Sequence, residues 1–152
     1  MRIGVISDTH GLLRPSAIAV LEDCDHIIHA GDITDGAVLE TLRALGPLTI
    51  VRGNNDRGPW TAGIRASEMI ELDGAHIYVV HDIADIEIDP GAAGVSVVIT
   101  GHSHKPSISR RDGVLYLNPG SAGPRRFTLP IAMAELTIDA SKVGARIIAL
   151  VP

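Results

Sequence analysis

Short apolar runs alternate with polar, turn-forming stretches along the chain, and their spacing predicts its elements. Residues 2–6, 26–30 and 48–51 are three such runs, each the length of a buried strand. Between them stand RPSAIAVLEDC at 14–24 and TDGAVLETLRAL at 34–45. Both read as helices: Pro15 suits a first turn, and Thr34 or Asp35 suits a cap. Strands alternating with helices of this length predict βαβ units and a largely parallel sheet.

From residue 65 the texture changes. SEMIEL and AHIYVV are joined by Asp73-Gly74, and SISRR and VLYLN by Asp112-Gly113. Asp-Gly is the dipeptide that best tolerates hairpin turns, so each pair predicts two antiparallel strands. VSVVIT at 95–100 is a further apolar run, and IAMAELTI with ARIIALV predicts a last hairpin. The expected class is α/β (α+β), a four-layer αββα sandwich of two mixed sheets flanked by helices. No repeat, low-complexity segment or linker interrupts the chain, so 1–152 reads as one domain.

The polar residues at the end of each apolar run carry the chemistry. The first run leads to Asp8 and His10, the second to Asp32, and the third to Asn54, Asn55 and Asp56. AHIYVV leads to His81 and Asp82, and VSVVIT to Gly101-His102-Ser103-His104. Ligands of open α/β sheets sit beyond the carboxyl ends of the strands, where separate loops converge. Asp, Asn and His gathered there amount to a metal-ligand list. Taken singly, these pieces have plain structural readings: a capping Asp, a tight Gly-Asn turn, a hydrogen-bonded histidine. Gly-His-Ser-His is more specific, because in extended chain residues two apart face the same side. His26, His29 and His76 lie within apolar runs and read as satisfied core or edge histidines.

Composition narrows the function. With 13 Lys and Arg against 18 Asp and Glu the formal net charge is −5, and no broad basic face is visible. That argues against long nucleic acid as a partner. Aromatics at 3% offer no stacking platform for single strands, and no apolar run is long enough for a bilayer. Cys24 is the sole cysteine. With no signal-like leader either, the expectation is a cytoplasmic protein.

The series Asp8-x-His10, Gly31-Asp32, Gly53-Asn54-x-Asp56, His81 and Gly101-His102-x-His104 resembles the calcineurin-like metallophosphoesterases. NPGSAGPRR at 118–126 resembles the small bacterial and archaeal phosphodiesterases of that family. The resemblance implies that Asp8, His10, Asp32 and His104 hold one divalent metal ion. Asp32, Asn54, His81 and His102 would hold a second, with Asp32 bridging. Manganese is the first expectation, with nickel, iron or zinc as alternatives. It further implies hydrolysis of a small phosphoester by a metal-bridging hydroxide, which Asn54 and His81 serve as ligands. Asp56 would orient a ligand by accepting a hydrogen bond from His10 or another imidazole. Ser7, Ser103 and Ser121 need no nucleophilic role.

Two positions depart from the family pattern. Asn55 stands where many relatives carry a histidine thought to protonate the leaving oxygen, and an amide cannot deliver that proton. Asp82 follows the ligand histidine where glycine is common, which places it on the rim. The 20 positions between His81 and His102 leave room only for a short helix and an open pocket. The competing expectation is a non-catalytic, metal-binding interaction scaffold of the same fold, which would need few of the seven ligands. Self-association is left open.

Overall fold

The computed structural model describes residues Met1–Pro152 and contains two five-stranded sheets. The first is built from β1 (Arg2–Ile6), β2 (His26–His29), β3 (Leu48–Ile50), β9 (Ala132–Asp139) and β10 (Lys142–Ala149), in the order β10-β9-β1-β2-β3. The second holds β4 (Ser67–Leu72), β5 (Ala75–Val80), β6 (Val97–Ile99), β7 (Ser107–Arg111) and β8 (Val114–Asn118), in the order β4-β5-β6-β8-β7. Each sheet is mixed. β1, β2 and β3 pair parallel, with Val5 opposite Ile28 and Ile28 opposite Thr49; β5, β6 and β8 pair parallel in the second sheet.

The sheets pack on one another through alternating inward residues. Ile3, Val5 and Ile28 of the first sheet share a cluster with Ile77, Val79, Ile99 and Leu117 of the second. The outer face of the first sheet is covered by α1 (Pro15–Leu21) and α2 (Gly36–Leu45), which bury Ala17, Leu21, Val38, Leu39 and Leu42 against Ile6 and Ile27. Pro15 occupies the first turn of α1, and Asp35 caps α2 by accepting the Ala37 N–H at 2.9 Å. Over the second sheet the outer layer is the segment from Ile83 to Val95, which lays Ile86, Ile88 and Val95 on Tyr78, Val80, Val98 and Val114. Its only helical part is a three-residue 3₁₀ turn, Ile83–Asp85. Both α-helices therefore flank the first sheet.

The Asp-Gly pairs make the turns read from the sequence: φ is positive at both Asp73 and Gly74 (48° and 83°) and at both Asp112 and Gly113 (52° and 78°), as a type I′ turn requires. The last hairpin starts its second strand at Lys142, three residues earlier than the apolar pattern predicts. Its turn is Ala140-Ser141, both with positive φ. Neither residue type marks a left-handed turn, so the strand pairing itself imposes it.

Every predicted site loop emerges from the carboxyl end of a parallel strand: β1, β2 and β3 on one sheet, β5 and β6 on the other. Ile99, fully buried between the sheets, ends β6 just before Gly101-His102. Ile99→Ala should cost about 2–5 kcal/mol through lost burial and an unfilled cavity, read as a lowered urea midpoint at unchanged slope.

Candidate metal centre

The loops meet because small and polar groups let backbone approach backbone. The Asp8 N–H donates to Gly31 O at 2.9 Å, and the His10 N–H to Asp32 O at 3.0 Å, which joins the first two loops. A Cβ on Gly53 would collide with the Asp32 carboxylate, and one on Gly101 with the Ser7 hydroxyl. Asp8, His10, Asp32, His102 and His104 all adopt positive φ, between 45° and 70°. Asp and His tolerate that region better than most residues, and such strain gathers at functional sites. Here it turns the chain sharply after β1, β2 and β6.

Two carboxylates stand at the centre. Asp8 is fully buried; its Oδ2 accepts from the Ser7 hydroxyl at 2.7 Å and the His102 N–H at 3.1 Å. Its Oδ1 is left unpartnered, 3.3 Å from His104 Nε2, 3.8 Å from His81 Nε2 and 3.9 Å from His10 Nε2. Asp32 lies beside it, with Oδ2 3.4 Å from His81 Nε2 and 3.6 Å from His10 Nε2. The His81 Nδ1–H donates to Ala30 O at 2.7 Å, which fixes the tautomer and turns the Nε2 lone pair inward.

The donor set fits divalent cations. Asp8 Oδ1, His10 Nε2, His81 Nε2 and His104 Nδ1 are four of the five buried side-chain polar atoms without a hydrogen-bond partner. Buried polar atoms are rarely left so, and Asp8 Oδ1, His10 Nε2 and His81 Nε2, which face one another, call for an electrophile. Ligand atoms of Asp8, His10 and His104 lie within 4.8 Å of one another, as do those of Asp8, Asp32 and His81. Electrostatics agrees. Burial pushes the Asp32 carboxyl up, but contacts from His81 and Asn55 outweigh it and hold the group well below the usual range. Burial likewise disfavours the His81 imidazolium, yet Asp32 and Asp8 raise its pKa overall; burial lowers His104. A pair of carboxylates this close to three imidazoles is a cation trap.

Five of the seven predicted ligands therefore stand together, and the other two are more exposed. His102 has a side chain 47% exposed, packs edge-on against His81 with ring centroids 5.3 Å apart, and places Nε2 3.5 Å from Asp82 Oδ2. Asn54 is exposed at the tip of its loop. The two mark the open rim.

Asp56 departs from expectation. It contacts no imidazole. Its Oδ1 accepts the N–H groups of Ile33 and Thr34, both at 2.8 Å, and its Oδ2 those of Asp32 at 3.0 Å and Gly53 at 2.8 Å. Four backbone donors saturate the carboxylate, so its role is to clamp the Asp32 loop onto the Gly53 loop. Asn55 is turned inward as well: its N–H donates to Asp32 Oδ1 and its side-chain amide to Asp32 Oδ2, both at 2.9 Å.

Several supporting groups went unread in the sequence. His29 is wholly buried, accepts the Gly31 N–H on Nδ1 at 3.1 Å and contacts Thr9 Oγ1 through Nε2 at 2.9 Å. The satisfied core histidine expected there thus also ties the Asp8–His10 loop to the Asp32 loop. Asn118 donates to Gly101 O at 2.9 Å and Ser121 to Asp8 O at 3.0 Å. Both belong to the NPGS motif, whose place at the end of β8 was the available signal.

Comparisons with known proteins agree with this geometry. Residues 1–141 match the family model of the calcineurin-like phosphoesterase superfamily domain. A probable metallophosphoesterase of Methanothermobacter thermautotrophicus is 37% identical over 160 residues, covering 97% of this chain and 92% of the relative. The solved structure of an archaeal phosphodiesterase superposes with a TM-score of 0.80 at 25% identity, covering 97% of this chain and all of that one (100%). The zinc complex of Vps29 from Entamoeba histolytica superposes with a TM-score of 0.75 at 23% identity, covering 98% and 99% of the two chains, and shows the fold alone.

The clamp and the buried ring can each be tested by unfolding. Asp56→Ala strands four backbone N–H groups and should cost about 3–5 kcal/mol, the scale of breaking a buried charged network, measured in urea on the metal-free protein. For His29, burial lowers the pKa to about 3 from a free value of 6.5. The unfolded ring takes up a proton that the folded ring refuses. Its contribution is thus intact above pH 6.5 and falls as pH drops toward 3, by up to about 1.4 kcal/mol per pH unit. Wild type should lose stability faster than His29→Gln between pH 6 and 4; parallel curves would contradict the assignment.

Proposed function

Because this chain belongs to the calcineurin-like phosphoesterase superfamily, we propose that it is a dinuclear metal-dependent phosphodiesterase acting on small phosphoesters. The convergence of the unpartnered Asp8 Oδ1, His10 Nε2 and His81 Nε2, with His104 Nε2 beside them, carries this reading. Asp8, His10, Asp32 and His104 would hold one cation, and Asp32, Asn54, His81 and His102 the other. Asp32 Oδ2, facing both His10 and His81, supports its role as the shared ligand. Manganese suits this set of imidazole, carboxylate and amide oxygen, and the absence of thiolates disfavours a structural zinc site. Two cations so held would supply a water acidified to hydroxide near neutral pH and neutralise charge on the phosphoryl oxygens.

The chain's own residues prepare that chemistry. Asn55 occupies one lone pair on each oxygen of Asp32, leaving one on each for a cation. The Ala30 carbonyl sets the His81 tautomer, and Ser7 with the His102 N–H leaves only Oδ1 of Asp8 free. Asn55 is committed to Asp32 and its amide is no acid, so the leaving oxygen needs its proton from another acid or from water. Rates should therefore depend steeply on the leaving group. The whole chain serves as one domain in this reading. No helix is long and apolar enough to cross a membrane, and we place the enzyme in the cytoplasm.

The alternative is a metal-binding interaction scaffold on the same fold. A scaffold has no use for three converging unpartnered ligand atoms, and that observation favours the enzyme. Protein stripped with EDTA should be inactive toward bis-p-nitrophenyl phosphate and recover with Mn²⁺. Asp32→Ala should lower kcat/KM by roughly 10²–10³-fold or more and abolish tight binding of both cations by calorimetry. Two bound metals per chain without turnover in any divalent cation would establish the scaffold instead.

A further inference from the structure

On the outer face of the second sheet lies a cleft of about 210 Å³ that meets the rim of the metal centre at His102 and Asp82. Strand alternation sets its floor. Ser107, Ser109 and Arg111 follow one another at every second position of β7, so their side chains share one face. Ser109 pairs with Tyr116 across the β7–β8 ladder, and Ser107 with Asn118. A row of two hydroxyls and a guanidinium therefore leads away from His102 along the strand.

Arg111 is the cation of this cleft, and the fold holds it there. Its guanidinium carbon lies 4.0 Å from the centroid of the Tyr116 ring, a cation–π contact that fixes its position without neutralising its charge. It enters none of the ion pairs with Asp or Glu, whereas its neighbour Arg110 is engaged by the Val143 carbonyl. Tyr116 is one ladder step, about 7 Å, from the Ser107–Asn118 pair at the site end of the strands. The acid nearest the mouth is already engaged: Asp82 Oδ1 accepts the Ala84 N–H at 3.0 Å and Oδ2 faces His102. In a chain of net charge −5, an unpaired guanidinium among hydroxyls suits an anion.

Resting on the phosphoesterase reading above, we propose that this cleft selects phosphoesters in which one ester substituent carries a second phosphate, bound by Arg111, Ser107 and Ser109. A phosphate presents three acceptor oxygens, matching the guanidinium fork and the two hydroxyls together. The reacting phosphoryl group lies at the metal centre and the second phosphate along β7. Arg111 is a specificity residue and takes no part in the chemical step.

Two chromogenic diesters that differ only in the second phosphate test this. They are thymidine 5′-(p-nitrophenyl phosphate) and the same compound phosphorylated at the 3′ oxygen. The manganese-loaded wild type should show a KM about tenfold lower for the 3′-phosphorylated ester, the size of one charged contact. Arg111→Met keeps the stem over Tyr116, and it should erase that preference while leaving kcat/KM for the unphosphorylated ester within about twofold. Arg111→Lys should restore part of it. Equal KM values in wild type, or an equal loss on both esters in Arg111→Met, would overturn the proposal. Calorimetric titration of the manganese-loaded protein with thymidine 3′,5′-bisphosphate, which has no diester to cleave, reads the subsite without turnover. About tenfold weaker binding to Arg111→Met supports the subsite even if no ester is hydrolysed, and equal binding refutes it even if both are.

Discussion

The carboxylate of Asp56 accepts backbone N–H groups from Asp32, Ile33, Thr34 and Gly53, and the two loops that carry them cannot part without stranding a buried charge. That constraint sets the place of Asp32, which in turn fixes the face its carboxylate offers to His10 and His81. Around it, His29 performs the same service with a neutral ring, bridging Thr9 to Gly31. The site is thus assembled by groups that point away from it. The loops after β1, β2 and β6 leave their strands in left-handed turns that cost free energy by themselves, and the interlocking hydrogen bonds offset it.

The same arrangement leaves the centre suited to cations and not merely stable. Asp8 and Asp32 are each hydrogen-bonded on the side away from the imidazoles, so their remaining lone pairs face inward. Buried carboxylates side by side repel, and the nearby rings relieve that repulsion only in part. A cation relieves it fully, so folding has already met much of the cost of binding metal. The rim is the opposite case. Asn54 and His102 are exposed, and Asp82 and the β7 face lie beside them. The candidate metal ligands lie below and the open polar face above.

Much of the fold was legible because its signals are local. Asp73-Gly74 and Asp112-Gly113 make the predicted turns, Pro15 and Asp35 begin their helices as expected, and the apolar runs become strands within a few residues. The Ala140-Ser141 turn was hidden, since neither residue favours positive φ and only the β9–β10 pairing demands it. The layer over the second sheet was legible only as a short span of residues. That span became irregular chain with one 3₁₀ turn, because packing Ile86, Ile88 and Val95 on Tyr78 needs no helix.

By itself, the sequence determined the chemistry available: which strand ends carry Asp, Asn and His, in what order, and which family they match. These depend on residue type and on spacing within one loop. Tertiary structure decided which of those groups meet. It turned Asp56 from the expected partner of an imidazole into a backbone clamp and recruited Asn55 to Asp32. It also set Arg111 on Tyr116 in the cleft that opens at His102, whose N–H reaches back to Asp8. Such choices follow from hydrogen bonds and ring contacts between segments far apart in the chain, and no local pattern encodes which of several polar neighbours a side chain will reach.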